Sequence, residues 1–213
     1  MVEGRTLTAK GAATRARIVS VAARLVYENG VARTSLEQVR DAAGISNSQL
    51  YHYFSDKQAL VRAVVRHDTE AILGADDASV SRLDSFAALQ AWRDGIVEHH
   101  RRQGGSGGCP LGSLVGELAD VDDGARRELD EGFRRWSDAI ATGLGVMRDR
   151  GLLRPETDPA RLALGTLAAL QGGLVLTQAR HSAEPLEVAL DGALAHIRSH
   201  ATEATRTDRG DDR

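Results

Sequence analysis

The chain is expected to be all-α in two parts, an N-terminal three-helix domain and a larger C-terminal helical domain, with about nine helices together. Three features of its 213 residues carry this expectation. Apolar residues recur at i, i+3, i+4 spacing in successive segments, the period of a helix with one buried face. No segment alternates apolar and polar residues as a half-buried strand does, and no repeat of roughly 20–50 residues is found. Helix punctuation falls between the periodic segments, at Gly30, Gly44, Asp158-Pro159 and Pro185.

The elements follow in order. Residues 1–11 are polar and basic and read as a flexible arm; Arg5, Lys10 and the nearby Arg15 could touch a phosphate or a minor groove, and solvated charge is the plainer reading for Arg5. A helix from Ala12 to Asn29 buries Ile18, Ala22, Leu25 and Val26 and stops at Gly30. A second, from the Thr34/Ser35 cap to Ala43, carries Leu36, Val39 and Ala43 on one face. Gly44 supplies the left-handed turn, and Ser46 caps a third helix in which Leu50 and Phe54 point inward. A fourth begins near Asp56 and runs to about Leu73, with Leu60, Val61, Val64 and Val65. The small, acidic segment 74–84 reads as a link. Beyond it come a helix at 85–103, a flexible break at 104–108, a short helix from Cys109-Pro110 and a long one at 122–150. Two more, starting at Asp158 and Pro185, complete the body. The chain thus divides into the arm at 1–11, a three-helix head at 12–60, a body at 61–201 and a disordered polar tail at 202–213.

Residues 33–57 are the most informative stretch. Two short helices joined at a glycine turn form a helix-turn-helix, whose second helix fits the DNA major groove. Its outward residues have the matching chemistry. Asn47, Ser48 and Gln49 can bond base edges, while Thr34, Tyr51, His52, Tyr53 and Lys57 can hold phosphates. A solvated polar face is the plainer reading of the same pattern. Lys57 sits in the first turn of its helix, where a cation opposes the dipole, and a phosphate shared with the helix amides would reverse that effect.

From Ala12 to Gly30 and from Thr34 to Leu60 (TSLEQVRDAAGISNSQLYHYFSDKQAL) the chain closely resembles the N-terminal domain of TetR/AcrR-type transcriptional regulators. The resemblance rests on a first helix ending in NG, the T-S start of the second and the A-G-I turn. The recognition segment ending L-Y-H-Y-F and the following D-K-x-x-L complete it. It implies a DNA-binding head on a body that dimerises and holds an inducer, and it locates that pocket without defining its chemistry.

Charge agrees. The net charge is −3, yet residues 1–67 hold 10 Lys/Arg against 5 Asp/Glu, and the remainder 17 against 25. The positive part coincides with the proposed phosphate contacts. No apolar run is read as approaching a membrane span and no signal sequence opens the chain, so a cytoplasmic protein is expected. A single cysteine excludes an intramolecular disulfide framework.

In the body, both tryptophans and one of three phenylalanines, Trp92, Trp136 and Phe133, could wall an apolar cavity. Phe86, Leu89, Ile96, Leu114, Leu118, Ile140, Leu170 and Leu174 would complete its apolar lining, although core packing is their default role. Gln171, His99 or His100, and Cys109 would be its polar points. Cys109, placed like a helix cap, invites a second reading as a redox or electrophile sensor, against its use as a small wall residue. The penultimate helix tolerates Gly165, Gly172 and Gly173, which close helix–helix approach would explain. Leu167, Gly172, Gly173 and Leu176, with Leu190, Leu194 and Ile197 of the last helix, are therefore expected at a two-fold, four-helix dimer interface.

No catalytic fingerprint occurs, so an enzyme is not expected. His196/His200 lack a third ligand, so neither metal nor cofactor is expected. The partners implied are double-stranded operator DNA, a small apolar or aromatic effector and a second copy of the chain. A helical enzyme or metal-binding protein is the weaker alternative.

Overall fold

The computed structural model describes residues 7–74 and 82–203, and among these the chain forms nine α-helices and no strand. They are α1 (Ala9–Asn29), α2 (Leu36–Ala43), α3 (Asn47–Tyr53), α4 (Lys57–Gly74), α5 (Phe86–Arg102), α6 (Pro110–Leu118), α7 (Asp123–Asp149), α8 (Pro159–Arg180) and α9 (Glu184–Ser199). The chain divides into two compact units, residues 1–70 with 110–132, and residues 71–109 with 133–213.

In the first unit α1 starts earlier than the arm expected at 1–11 allows. Thr8 caps it, its hydroxyl accepting from the Gly11 amide at 3.2 Å, so residues 9–11 are helical. Residues 1–6 lie outside the described residues. Helices α2 and α3 each open with a capping box. Ser35 and Gln38 exchange bonds at 3.2 and 2.8 Å, and Ser46 and Gln49 at 3.2 and 3.0 Å. Between them Gly44 takes φ 62°, ψ 44°, which a side chain rarely tolerates. Ile18, Ala22, Val26, Val39, Ala43, Leu50, Phe54, Leu60 and Val64 form the core.

This unit is larger than residues 12–60. Helix α6 buries Leu111, Leu114 and Leu118 in it, and the start of α7 adds Ala125 and Leu129. Gly132 marks the close crossing of α7 over α4, since a Cβ there would lie 2.6 Å from Thr69 Oγ1.

The second unit is built from α5, α8, α9 and the rest of α7. The α8–α9 seam is its most extensive helix pair, and Gly173 lets it close: a Cβ there would meet Leu186 Cα at 3.0 Å. Arg93 of α5, 9% exposed, bonds Asp191 of α9 with Nε and Nη2 at 2.8 Å each and Glu187 at 3.0 Å. Burial opposes its charge, but the carboxylates of Asp191, Glu187 and Asp94 outweigh burial and raise its pKa.

Three expectations change here. Within residues 104–108, expected to be a break, Gly105 is packed. Gly105 has φ 70° and abuts the α8–α9 corner, where a Cβ would fall 2.3 Å from the Ser182 amide nitrogen. The proposed link lies partly outside the described residues (75–81), but its Leu83 is buried, and its carbonyl sits 2.5 Å from where a Cβ of Gly143 would be. Contrary to the expectation that no apolar run approaches a membrane span, α8 is long and apolar enough by length and composition, with a mean hydropathy of 1.4. Its apolarity serves two faces: Leu162, Leu167, Leu170 and Leu174 are core, and Leu164, Val175 and Leu176 are exposed. Of the tail, residues 204–213 lie outside the described residues, whereas Thr202 is tied to the α7–α8 link through Leu152 and Gly151 carbonyls.

Candidate nucleic-acid interface

Helix α3 turns Leu50 and Phe54 inward and leaves Asn47, Ser48, Gln49, Tyr51 and His52 exposed, with Tyr53 and Lys57 half-buried. Their polar atoms are not equally available. The Asn47 Oδ1 accepts from Arg40 Nη1 at 2.9 Å, and Arg40 is steadied by Asp41 at 2.7 Å. Ser48 shares a 3.0 Å hydroxyl bond with Ser46. Gln49 Oε1 is occupied by the capping box, which leaves its amide N–H groups for a base. His52 packs edge-on to Tyr53. A Cβ at Gly11 would lie 3.5 Å from the Tyr53 hydroxyl, so the α1 N-terminus adjoins the end of α3. Arg15 of α1 stacks its guanidinium 5.2 Å over the Phe54 ring.

Two sequence readings are revised. Thr34 is 4% exposed, and its hydroxyl donates toward the Leu25 and Gly30 carbonyls at 3.2 and 2.9 Å. Its side chain closes the α1–α2 turn instead of facing a phosphate. Lys57 needs no phosphate to explain its place, because Asp56 caps α4. Asp56 accepts from the Ala59 amide at 2.7 Å and from Ser55 at 2.9 Å, and these bonds hold its carboxyl below its usual pKa. Arg40 was missed. The signal available was a basic residue in the last turn of α2, one side of the glycine turn from Asn47.

Most of the expected effector residues fall in the second unit. There Leu89, Trp92, Cys109, Trp136, Ile140, Leu170 and Leu174 are buried, and Phe86, Ile96, Phe133 and Gln171 half-buried. Leu114 and Leu118 belong to the first unit and help form its core. His99 is exposed and bonds Gln103 at 3.0 Å, whereas His100 is buried, so the adjacent histidine is the inward one. Burial, with a smaller repulsion from the neighbouring His99, lowers the His100 pKa. Trp136 Nε1, Gln171 Nε2 and His100 Nδ1 are buried with no hydrogen-bond partner among the described residues. A groove of about 170 Å³ in the first unit, lined by Val31, Lys57, Gln58, Val61, Leu118, Val121 and Asp122, takes in only Leu118 of the expected set.

The dimer residues divide. Leu167, Leu190, Leu194 and Ile197 are at most 4% exposed within one protomer, and Gly173 backs onto α9. The four are interior to one protomer, so their side chains are not displayed to a second copy. Gly172 and Leu176 remain outside, joined by Leu164, Val175 and Val188 and by open space at Gly165 and Gly192. Among the described residues no cluster of three or more His, Cys, Asp or Glu could hold a metal.

A basic three-helix head that displays a short polar helix after a glycine turn, carried on a helical body, defines a helix-turn-helix DNA-binding regulator. Residues 18–64 match the family model described as bacterial regulatory proteins, tetR family, and residues 85–191 that of the LmrA/YxaF-like transcriptional regulator C-terminal domain. The chain belongs to the TetR family of transcriptional regulators. It is 34% identical to the probable HTH-type transcriptional regulator ArpR of Pseudomonas putida, over 75% of this chain and 77% of the relative. It is 28% identical to an uncharacterised HTH-type transcriptional regulator in the lacX 3' region of Lactococcus lactis subsp. lactis, over 84% and 90%. The crystal structure of a TetR transcriptional regulator from Chloroflexus aurantiacus superposes with a TM-score of 0.73 at 26% identity, covering 91% of this chain and 98% of that one. The family and these relatives are transcriptional regulators, not enzymes, and DNA is the partner the head is made for.

Proposed function

We propose that the protein is a homodimeric, cytoplasmic repressor that binds a pseudo-palindromic operator and is released by a small apolar or aromatic effector. The observation that carries this reading is α3, capped, rigidly turned at Gly44 and exposed along its polar side. Asn47, Ser48 and the Gln49 amide reach base edges, and Tyr51, His52, Tyr53 and Lys57 hold phosphates. One seven-residue helix reads few bases, so two copies are needed, in successive major grooves ~34 Å apart. The exposed apolar face of α8 and α9, with Leu164, Val175, Leu176 and Val188, supports pairing through that face. The unpartnered atoms of Trp136, Gln171 and His100 support an effector site in the second unit, because a buried polar group left unpaired costs about 1–3 kcal/mol until a ligand meets it. Such an effector acts only by its difference in affinity between the DNA-competent and released states.

The test is selection of duplexes from a random pool, followed by binding measured by fluorescence anisotropy. The expected product has two inverted half-sites about one helical turn apart. Gln49→Ala then weakens the selected duplex and relaxes base preference, while Lys57→Ala weakens every duplex and flattens the salt dependence. No enrichment, or an asymmetric single site, overturns the reading.

A further inference from the structure

We infer that Glu117 of α6 is a positioning residue for DNA recognition, fixing the α1–α2 turn that sets the helix-turn-helix. This rests on the DNA-binding reading and adds a residue outside the helix-turn-helix to it. The Glu117 carboxylate accepts from two consecutive backbone amides, Val31 at 2.9 Å and Ala32 at 3.3 Å. Successive N–H groups aimed at one anion form an anion-binding concavity, and a charged acceptor makes these the stronger kind of hydrogen bond. Gly30, at φ 81°, admits the carboxylate, since a Cβ there would lie 3.2 Å from both of its oxygens.

The turn so held is wired directly to the reading helices. Its Thr34 hydroxyl closes back on Leu25 and Gly30, and the next residue, Ser35, is the cap of α2. Helix α2 ends at Gly44 and leads through Ser46 into α3, and Arg40 of α2 bonds Asn47 of α3. A shift of residues 30–34 is therefore passed along capped, short elements with little slack. On α4, Arg62 meets Asp122 at 3.5 Å and Arg66 pairs with Glu128. Three carboxylates of residues 110–132 thus hold the head at two places, the α1–α2 turn and α4. Asp122 in turn fixes α7, accepting from the Ala125 amide at 2.9 Å. The chain enters the first unit at Pro110 and leaves it after Gly132, so this clasp is the means by which a returning segment sets the geometry of α2 and α3.

Positioning and electrostatics have opposite effects on DNA affinity at Glu117. Removing a carboxylate from a unit that binds polyanions strengthens its attraction for any duplex. Loss of a positioning contact does the opposite, and only for the selected sequence. The experiment uses the full chain, the duplex selected by the wild type and a scrambled duplex of equal length. Glu117→Ala is expected to lower affinity for the selected duplex on the order of tenfold while scrambled-duplex affinity stays equal or rises. Amide hydrogen exchange at Val31 and Ala32 and along α2 should speed up. Glu117→Gln, which keeps an acceptor oxygen without the charge, should fall between the two. Unchanged or improved affinity for the selected duplex in both variants overturns the inference, as does an equal fall on both duplexes with a lost thermal transition. Failure of the wild type to select any duplex refutes the DNA reading instead, so the two failures are distinct.

Discussion

Thr34 stands at the start of the recognition motif and Gln49 in the first turn of its second helix, and both do structural work with polar atoms that looked free for DNA. Thr34 places one hydroxyl against two carbonyls at the end of α1. Thr34→Val keeps the volume and removes the donor from a buried site, which should cost about 1–3 kcal/mol. For a chain of this size that is a fall of roughly 2–12 °C in Tm, read by calorimetry. Affinity for DNA at a temperature where the variant is folded should change little; a large loss there with an unchanged Tm would restore Thr34 as a phosphate contact. The sequence could not separate these roles, because a cap-position threonine and a phosphate-binding threonine have the same neighbours. Burial separates them. His99 and His100 were likewise equivalent until helix phase against the second unit turned His100 inward.

Among the helices, the glycines decide what the apolar pattern leaves open. Periodicity and punctuation sufficed to identify nine helices among the described residues, although α9 has no side-chain cap and α3 buries only Leu50. What they could not say was which glycine is a break and which is a contact. Gly104 and Gly105 are neighbours with φ of 63° and 70°, yet nothing surrounds the first, while the second touches the backbone of His181 and Ser182. Gly104→Ala should therefore cost only the backbone strain, roughly 1–2 kcal/mol. Gly105→Ala carries that strain and a backbone collision that flexing a side chain cannot relieve, so it should cost several kcal/mol. Thermal melts of the pair check this, and equal losses would mean that 104–108 is as loose as its composition suggests. The same logic applies to α8. Its glycines did signal close approach, but Gly173 approaches α9 of the same chain, while Gly165 and Gly172 face open space.

For the molecule as a whole, that open face is where pairing is expected. Val175 and Val188 are 65% and 66% exposed, while the leucines first assigned to the interface are interior. Val175→Glu should leave far-UV circular dichroism unchanged but shift sedimentation at micromolar concentration from dimer toward monomer, with operator affinity falling because one head is presented at a time. A variant that stays dimeric and binds as before moves the interface elsewhere.

The fold class, the helix-turn-helix and the basic head could be read directly from residue order, because caps, glycine turns and 3.6-residue spacing act over a few residues. Regulatory family membership followed from the same contiguous stretch. Folding alone assigned α6 and the start of α7 to the first unit, buried Leu167, Leu190, Leu194 and Ile197 within one chain, and brought Glu117 to the amides of Val31 and Ala32. Those pairings join residues up to 86 apart, and no local propensity encodes which distant surface a helix face will meet.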